Sequence, residues 1–250
     1  MNSDGSGKTD LIQDNGTSDD HPAFSPDGQQ IVFLSNRDAS SGELYTYSSL
    51  SGAITRLTTN SAFDENPDWQ PVPACTITGT SGDDVRTGTG GKDVICGLGG
   101  NDQLDGMGGN DIILGVAGND RISGGADNDM VNGGAGVDTV IYSGSAAAVQ
   151  ASLEPGFATG EGSDLLSYVE GLTGSNFADY LNGSAAANTL HGLGGSDTLI
   201  GSKGNDRLFG ESGADVLKAR DGMRKNDRLD GGPGRDTCQK DRGDRTVNCQ

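Results

Sequence analysis

From Gly79 to Ile141 the apolar positions follow neither a helical period nor a simple alternation. An aliphatic residue returns every nine positions instead: Ile95, Leu104, Ile113, Ile122, Val131 and Val140. The segment divides without a gap into the words GTSGDDVRT, GTGGKDVIC, GLGGNDQLD, GMGGNDIIL, GVAGNDRIS, GGADNDMVN and GGAGVDTVI. Position 1 is always Gly, position 6 is always Asp, and position 8 carries the aliphatic. This phasing predicts a three-residue strand at positions 7–9, its middle side chain inward, and a turn over positions 1–6. Two words make one full coil, so words two apart stack on the same rim. One rim then carries Asp84, Asp102, Asp120 and Asp138; the other carries Asp93, Asp111 and Asp129.

The turns bring chemistry with them. Glycines permit positive φ, so backbone carbonyls can converge on one point. A carbonyl cluster joined by a carboxylate is a hard-oxygen site of the kind calcium takes. Stacked carboxylates at the strand spacing of about 4.8 Å repel by roughly 1 kcal/mol in water and about 4 near a protein surface. A cation between them reverses that sign. Seven words give five same-rim pairs, so about five ions are expected here. The word matches G-G-x-G-x-D-x-U-x, and on these residues the segment resembles the RTX, or haemolysin-type, calcium-binding β-roll family. The resemblance implies a parallel β-roll loaded with Ca²⁺. A disordered glycine-rich linker would have no reason to hold Asp at one phase and an aliphatic at another. Arg86, at the inward position of the first word, marks a frayed end. Asp127, in place of a turn glycine, predicts a strained turn or an added ligand.

A second block starts at Gly174: GSNFADYLN, GSAAANTLH, GLGGSDTLI, GSKGNDRLF, GESGADVLK, then the longer ARDGMRKNDRLD, then GGPGRDTCQ. Its position-6 residues are Asp179, Asn188, Asp197, Asp206, Asp215, Asp227 and Asp236, and the Asp residues among them are candidate ligands for about five more ions. The first two words lack a glycine at position 4, so their sites are expected to be weak or absent. Asp197 with Asp215, and Asp206 with its neighbours, read as the best sites. Residues 142–173 break the period and resemble the connector that joins two blocks in that family; VQASL predicts a longer strand. Glu161, Asp164 and Glu170 read there as solvated loop acids rather than ligands. The tail KDRGDRTVNCQ leaves the period and reads as a cap.

Residues 1–72 obey another rule. DDHPAFSP (19–26) and DENPDWQP (64–71) align at an interval of 45 residues, as do Gly7 with Gly52 and Asn15 with Asn60. Between them, QIVFLS (30–35) and ELYTY (43–47) are predicted strands around the turn-rich NRDASSG. SPDG, SNRD, GELYTY and RLT resemble the TolB-type β-propeller repeat, which implies a partial blade region. A propeller needs at least four blades, so the chain is expected to be part of a longer secreted protein.

Composition narrows the classes. The chain has 250 residues, 43 Gly, one Trp, five Tyr and six Phe, too few large apolar groups for one conventional core. The formal charge of −19 argues against nucleic acid, and about ten Ca²⁺ would nearly cancel it. No apolar run approaches the roughly 20 residues of a membrane-spanning helix. Cys75, Cys96, Cys238 and Cys249 lie as two local pairs at the outer edges of the repeats, without the C-x-x-C spacing of zinc sites. Disulfides Cys75–Cys96 and Cys238–Cys249 are expected, and with them an oxidising compartment. The two histidines, His21 and His191, form no zinc-protease motif, and there is no G-x-S-x-G elbow.

The expected protein is therefore all-β: a partial β-propeller blade region (1–72), a first β-roll block (73–141), connector strands (142–173), a second block (174–239) and a cap (240–250). Its expected activity is extracellular calcium binding that drives folding of a non-enzymatic, secreted or surface binding module. The alternative is the folding and export tail of a larger secreted hydrolase or toxin. No macromolecular partner can be read from the residues.

Overall fold

The computed structural model describes residues 19–24, 30–35, 43–48, 53–58, 74–219, 221–222 and 226–250. The chain divides into two units, Met1–Pro73 and Ala74–Gln250. All regular structure among the described residues is β, and no helix is present.

In the second unit the chain alternates between two sheets, word by word. One sheet holds nine strands, from Val85–Thr87 at one edge to Arg245–Val247 at the other. The second holds eleven, from Ile77–Thr78 to Thr237–Lys240. Most neighbours are parallel and in register at a separation of 18 residues: Ile95 faces Ile113, Ile122 faces Val140, and Leu190 faces Leu208. The result is a parallel β-solenoid. Its strands are mostly three residues long because the turn glycines return at once, and only the middle side chain points inward. Those middle residues make one column between the sheets: Ile95, Ile113, Ile122, Val140, Leu181, Leu190, Leu199, Leu208, Leu217 and Leu229 are all fully buried. Ile77 packs against the column's first end.

The connector does not separate two blocks; both sheets run straight through it. Strand Gly171–Thr173 pairs in parallel with Thr139–Ile141 on one side and Thr189–His191 on the other. In the other sheet, Gln150–Ser152, Phe157–Thr159 and Ser163–Ser167 form an antiparallel run between Met130–Ala135 and Tyr180–Asn182. The strand expected in VQASL is there as Gln150–Ser152. The expectation of solvated loop acids is corrected. Asp164 is buried and accepts hydrogen bonds from the Asp129 N–H at 3.1 Å and the Tyr142 hydroxyl at 3.1 Å. Glu170 is half-buried and accepts from the Asp138 N–H at 2.9 Å. These two acids thus accept the backbone N–H groups that a position-6 Asp accepts elsewhere.

The tail adds an edge strand: Arg245–Val247 lies in register with Arg228–Asp230. Both disulfides occur as expected, Cys75–Cys96 and Cys238–Cys249. Arg86 fills its inward position with polar contacts: its guanidinium lies 2.8 Å from Asp84 Oδ1, and Nε donates to the Thr78 carbonyl at 3.0 Å.

The first unit contains a four-stranded antiparallel sheet in sequence order: Asp19–Phe24, Gln30–Ser35, Glu43–Ser48 and Ile54–Arg56. The two predicted strands are its middle pair. Ile31–Leu34 and Tyr45 are buried, with Phe33 and Tyr45 stacked at 5.9 Å. The second copy of the aligned motif (64–71), Gly7, Asn15, Gly52, Asn60 and the NRDASSG turn lie outside the described residues.

Candidate metal centre

Each position-6 Asp sits in the last residue of a turn, just before its strand, and the stacking of turns repeats its surroundings. One carboxylate oxygen belongs to a ladder. The N–H of Asp84 donates to Asp102 Oδ1 (2.8 Å), Asp93 to Asp111 (2.7 Å), Asp102 to Asp120 (2.8 Å), Asp111 to Asp129 (2.9 Å) and Asp120 to Asp138 (2.8 Å). The second half continues it: Asp179 to Asp197 (2.8 Å), Asn188 to Asp206 (2.9 Å), Asp197 to Asp215 (2.8 Å), Asp206 to Asp227 (2.8 Å) and Asp215 to Asp236 (3.0 Å). The predicted two-rim arrangement of these residues is thus the observed one.

The other oxygen behaves differently. Oδ2 of Asp102, Asp111, Asp120, Asp129, Asp138, Asp197, Asp206, Asp215, Asp227 and Asp236 is buried and has no hydrogen-bond donor among the described residues. A buried, unpaired carboxylate oxygen costs on the order of several kcal/mol. These are the second members of the same-rim pairs, five in each half. In front of most of these oxygens lies a glycine at position 1, and a carbonyl of the next turn on the rim points into the same space. A Cβ on Gly97 would meet both Asp102 Oδ2 and the Gly115 carbonyl; one on Gly106 would meet Asp111 Oδ2 and the Gly124 carbonyl. The same relation holds for Gly192 with Asp197 and Gly210. Position 1 is glycine because that space belongs to oxygen atoms.

No three His, Cys, Asp or Glu side chains converge anywhere among the described residues. The converging donors are one carboxylate oxygen and backbone carbonyls, the donor set of a hard cation such as calcium. The residues therefore fit Ca²⁺, on the ground of the orphaned oxygens and the carbonyls that face them.

Burial governs the acid strength of these groups. Desolvation raises Asp111, Asp120, Asp138, Asp215 and Asp227 above the usual carboxylate range, and it pushes Asp129, Asp197 and Asp206 to about 7. Asp84 and Asp93 move the other way, held low by hydrogen bonds from Thr80 and Thr89. Asp84, Asp93 and Asp179 also differ in having both oxygens partnered.

One feature escaped the sequence reading. A second ladder runs outside the first through position 5: the Asn119 N–H donates to Asn101 Oδ1, Val137 to Asn119 and Asn128 to Asn110. The recurring GND or DND triplet carried that signal. Asp127 does occupy a left-handed conformation (φ 79°), and its Oδ2 accepts from the Gly109 N–H at 3.3 Å.

A family model described as the RTX calcium-binding nonapeptide repeat, in four copies, matches residues 76–104, 105–140, 173–208, 191–222, 200–238 and 221–247. These segments together cover more than half of the chain. No curated protein matches it.

Proposed function

The chain belongs to the RTX calcium-binding nonapeptide repeat family, and on that premise we propose that residues 74–250 are a calcium-loaded solenoid whose folding the ion drives outside the cell. One observation carries this reading: the ten buried Oδ2 atoms without a donor. Each is the remaining valence of a carboxylate otherwise built into the ladder, and each faces a place where a cation restores what burial removed. About five ions per half follow from one orphaned oxygen per same-rim pair. Asp102, Asp111, Asp120, Asp129 and Asp138 would hold those of the first half, and Asp197, Asp206, Asp215, Asp227 and Asp236 those of the second, each with carbonyls of adjoining turns.

The extracellular setting is supported by the two disulfides, which persist in oxidising compartments. A non-enzymatic role as a surface or secreted binding module is supported by the absence of a zinc-protease or nucleophile-elbow motif in the sequence. The four-stranded antiparallel meander of the first unit supports reading it as one propeller blade of the TolB type.

Circular dichroism during a calcium titration of the full chain, with calorimetry alongside, tests the proposal. The strand signal of the repeats is expected to be largely lost in chelator and to return cooperatively, with a midpoint of roughly 10⁻⁴–10⁻³ M. Magnesium is expected to fail, since it keeps its water and demands tighter octahedral geometry. A strand spectrum indifferent to chelator, with no heat of calcium binding, would refute the reading.

A further inference from the structure

In four turns every side-chain oxygen at position 6 has a donor. The Thr80 N–H and hydroxyl both donate to Asp84 Oδ2, at 2.5 and 2.8 Å. Thr89 does the same for Asp93, at 2.7 and 2.8 Å. The Ser175 N–H donates to Asp179 Oδ2 at 2.5 Å, and its hydroxyl to Oδ1 at 2.8 Å. Ser184 gives its N–H (2.7 Å) and hydroxyl (3.3 Å) to Asn188 Oδ1. The remaining polar atoms are occupied too. Asp84 Oδ1 has Arg86, Asp93 Oδ1 has the Thr76 hydroxyl at 3.2 Å, Asp179 Oδ1 has the Val149 N–H at 2.7 Å, and Asn188 Nδ2 donates to the Glu170 carbonyl at 3.1 Å.

The backbone separates the same four from the rest. In the words that leave Oδ2 orphaned, position 2 is left-handed: Leu98 (77°), Met107 (72°), Val116 (80°), Leu193 (72°) and Glu211 (65°) bear that strain despite their side chains. Thr80, Thr89, Ser175 and Ser184 are not left-handed. A hydroxyl alone does not decide the matter. Ser202 also holds position 2, yet it stands at φ 73°, its hydroxyl goes to Asn182, and Asp206 Oδ2 stays bare.

Place in the stack accounts for the difference. Turns 79–84 and 88–93 are the first on their rims. Turn 183–188 follows the short link 168–170, and turn 174–179 follows the irregular link 142–149. Each of the four thus lacks a nine-residue turn beneath it, with which an ion could be shared. Asn188 gives independent support: the only position-6 residue without a charge stands in one of these four turns.

Resting on the calcium reading above, the geometry points to Thr80, Thr89, Ser175 and Ser184 as hydroxyl groups that take the place of calcium. Each rim of each half then opens on a metal-independent turn, and ion binding starts one level later. Asp84, Asp93 and Asp179 are structural caps rather than ligands.

The test counts calcium bound per chain at saturation, by equilibrium dialysis of the full protein, with circular dichroism to follow folding. Asp93→Asn and Asp179→Asn are expected to retain the wild-type count and a calcium midpoint within about twofold of it. Asp111→Asn and Asp197→Asn are expected to lose at least one ion each. Thr89→Val is expected to keep the count while lowering the melting temperature. Loss of an ion by Asp93→Asn or Asp179→Asn, to match the second pair, overturns the inference and leaves the calcium reading intact. Failure of Asp93→Asn to fold at any calcium concentration also overturns it, because Asn188 shows that asparagine can fill such a turn. A wild-type chain that binds no calcium overturns both.

Discussion

A single oxygen explains most of what each repeat requires. Asp Oδ1 is used by the ladder, Oδ2 faces the carbonyl-lined space, and glycine at position 1 keeps that space open. Gly106→Ala would place a methyl group against Asp111 Oδ2 and the Gly124 carbonyl. We expect a loss of about 2 kcal/mol or more, in the range of overpacked sites, read as a lower melting temperature in saturating calcium and a raised calcium midpoint. Gly90→Ala is the control: nothing lies within 4 Å of its Cβ position and its φ is not left-handed, so its melting curve should overlay the wild type. Position 6 and position 8 were legible because nearly every word repeats the same residue type there. The Thr and Ser caps at position 2 were not. Ser184 and Ser202 are the same residue at the same phase, and only the turn beneath them sends one hydroxyl to position 6 of its own word and the other to Asn182.

Among the elements, the connector departs furthest from the pattern and shows what the pattern conceals. Its strands were hidden because an antiparallel run needs no nine-residue period; only Gln150–Ser152 showed alternation. Its acids were misread because a ladder position is set by three-dimensional stacking. Asp164 takes the Asp129 N–H across 35 residues, where the repeat would use 18. Tyr142 is the second support of that buried acid, and its hydroxyl is the one donor to Oδ2 of Asp164 among the described residues. Tyr142→Phe leaves this oxygen unpaired, at a cost of about 1–3 kcal/mol. Because both sheets pass through the connector, the expected result is one melting transition displaced as a whole in calcium. Two separated transitions would mean that the halves melt as independent blocks.

At the scale of the molecule, composition and charge fit the proposed dependence of the fold on ions. One buried aliphatic per word is worth about 1.5–3 kcal/mol, while each ordered backbone residue costs about 1–2, and glycine-rich turns are at the costly end. Acidity offers a substitute for the metal. Burial raises Asp129, Asp197 and Asp206 to about 7 in the folded chain, far above the 3.9 of an unfolded Asp. A raised carboxylate penalises folding fully above about pH 7, and the penalty fades as pH falls toward 4, because the folded state then holds more protons. In chelator the strand signal should therefore grow between pH 8 and pH 5, and in calcium the midpoint should shift to higher concentration over the same interval. Dichroism at fixed pH steps checks both directions. The first unit was legible to the level of its two central strands, since alternation and turn residues sufficed.

Every rung of the Oδ1 ladder points the same way, from the N–H of an earlier level to the carboxylate of a later one. The solenoid consequently has a grain. A level laid on its predecessor arrives with Oδ1 already spoken for and asks only for one cation. A level formed in isolation, away from the hydroxyl-closed starts, would bury two bare oxygens at once. On the calcium reading proposed above, assembly is expected to start at Thr80 and Thr89 and again at Ser175 and Ser184, and to advance toward the C-terminus. A chain that meets calcium amino-end first is then expected to close coil by coil behind itself. One that meets it carboxyl-end first is expected to wait for a seed.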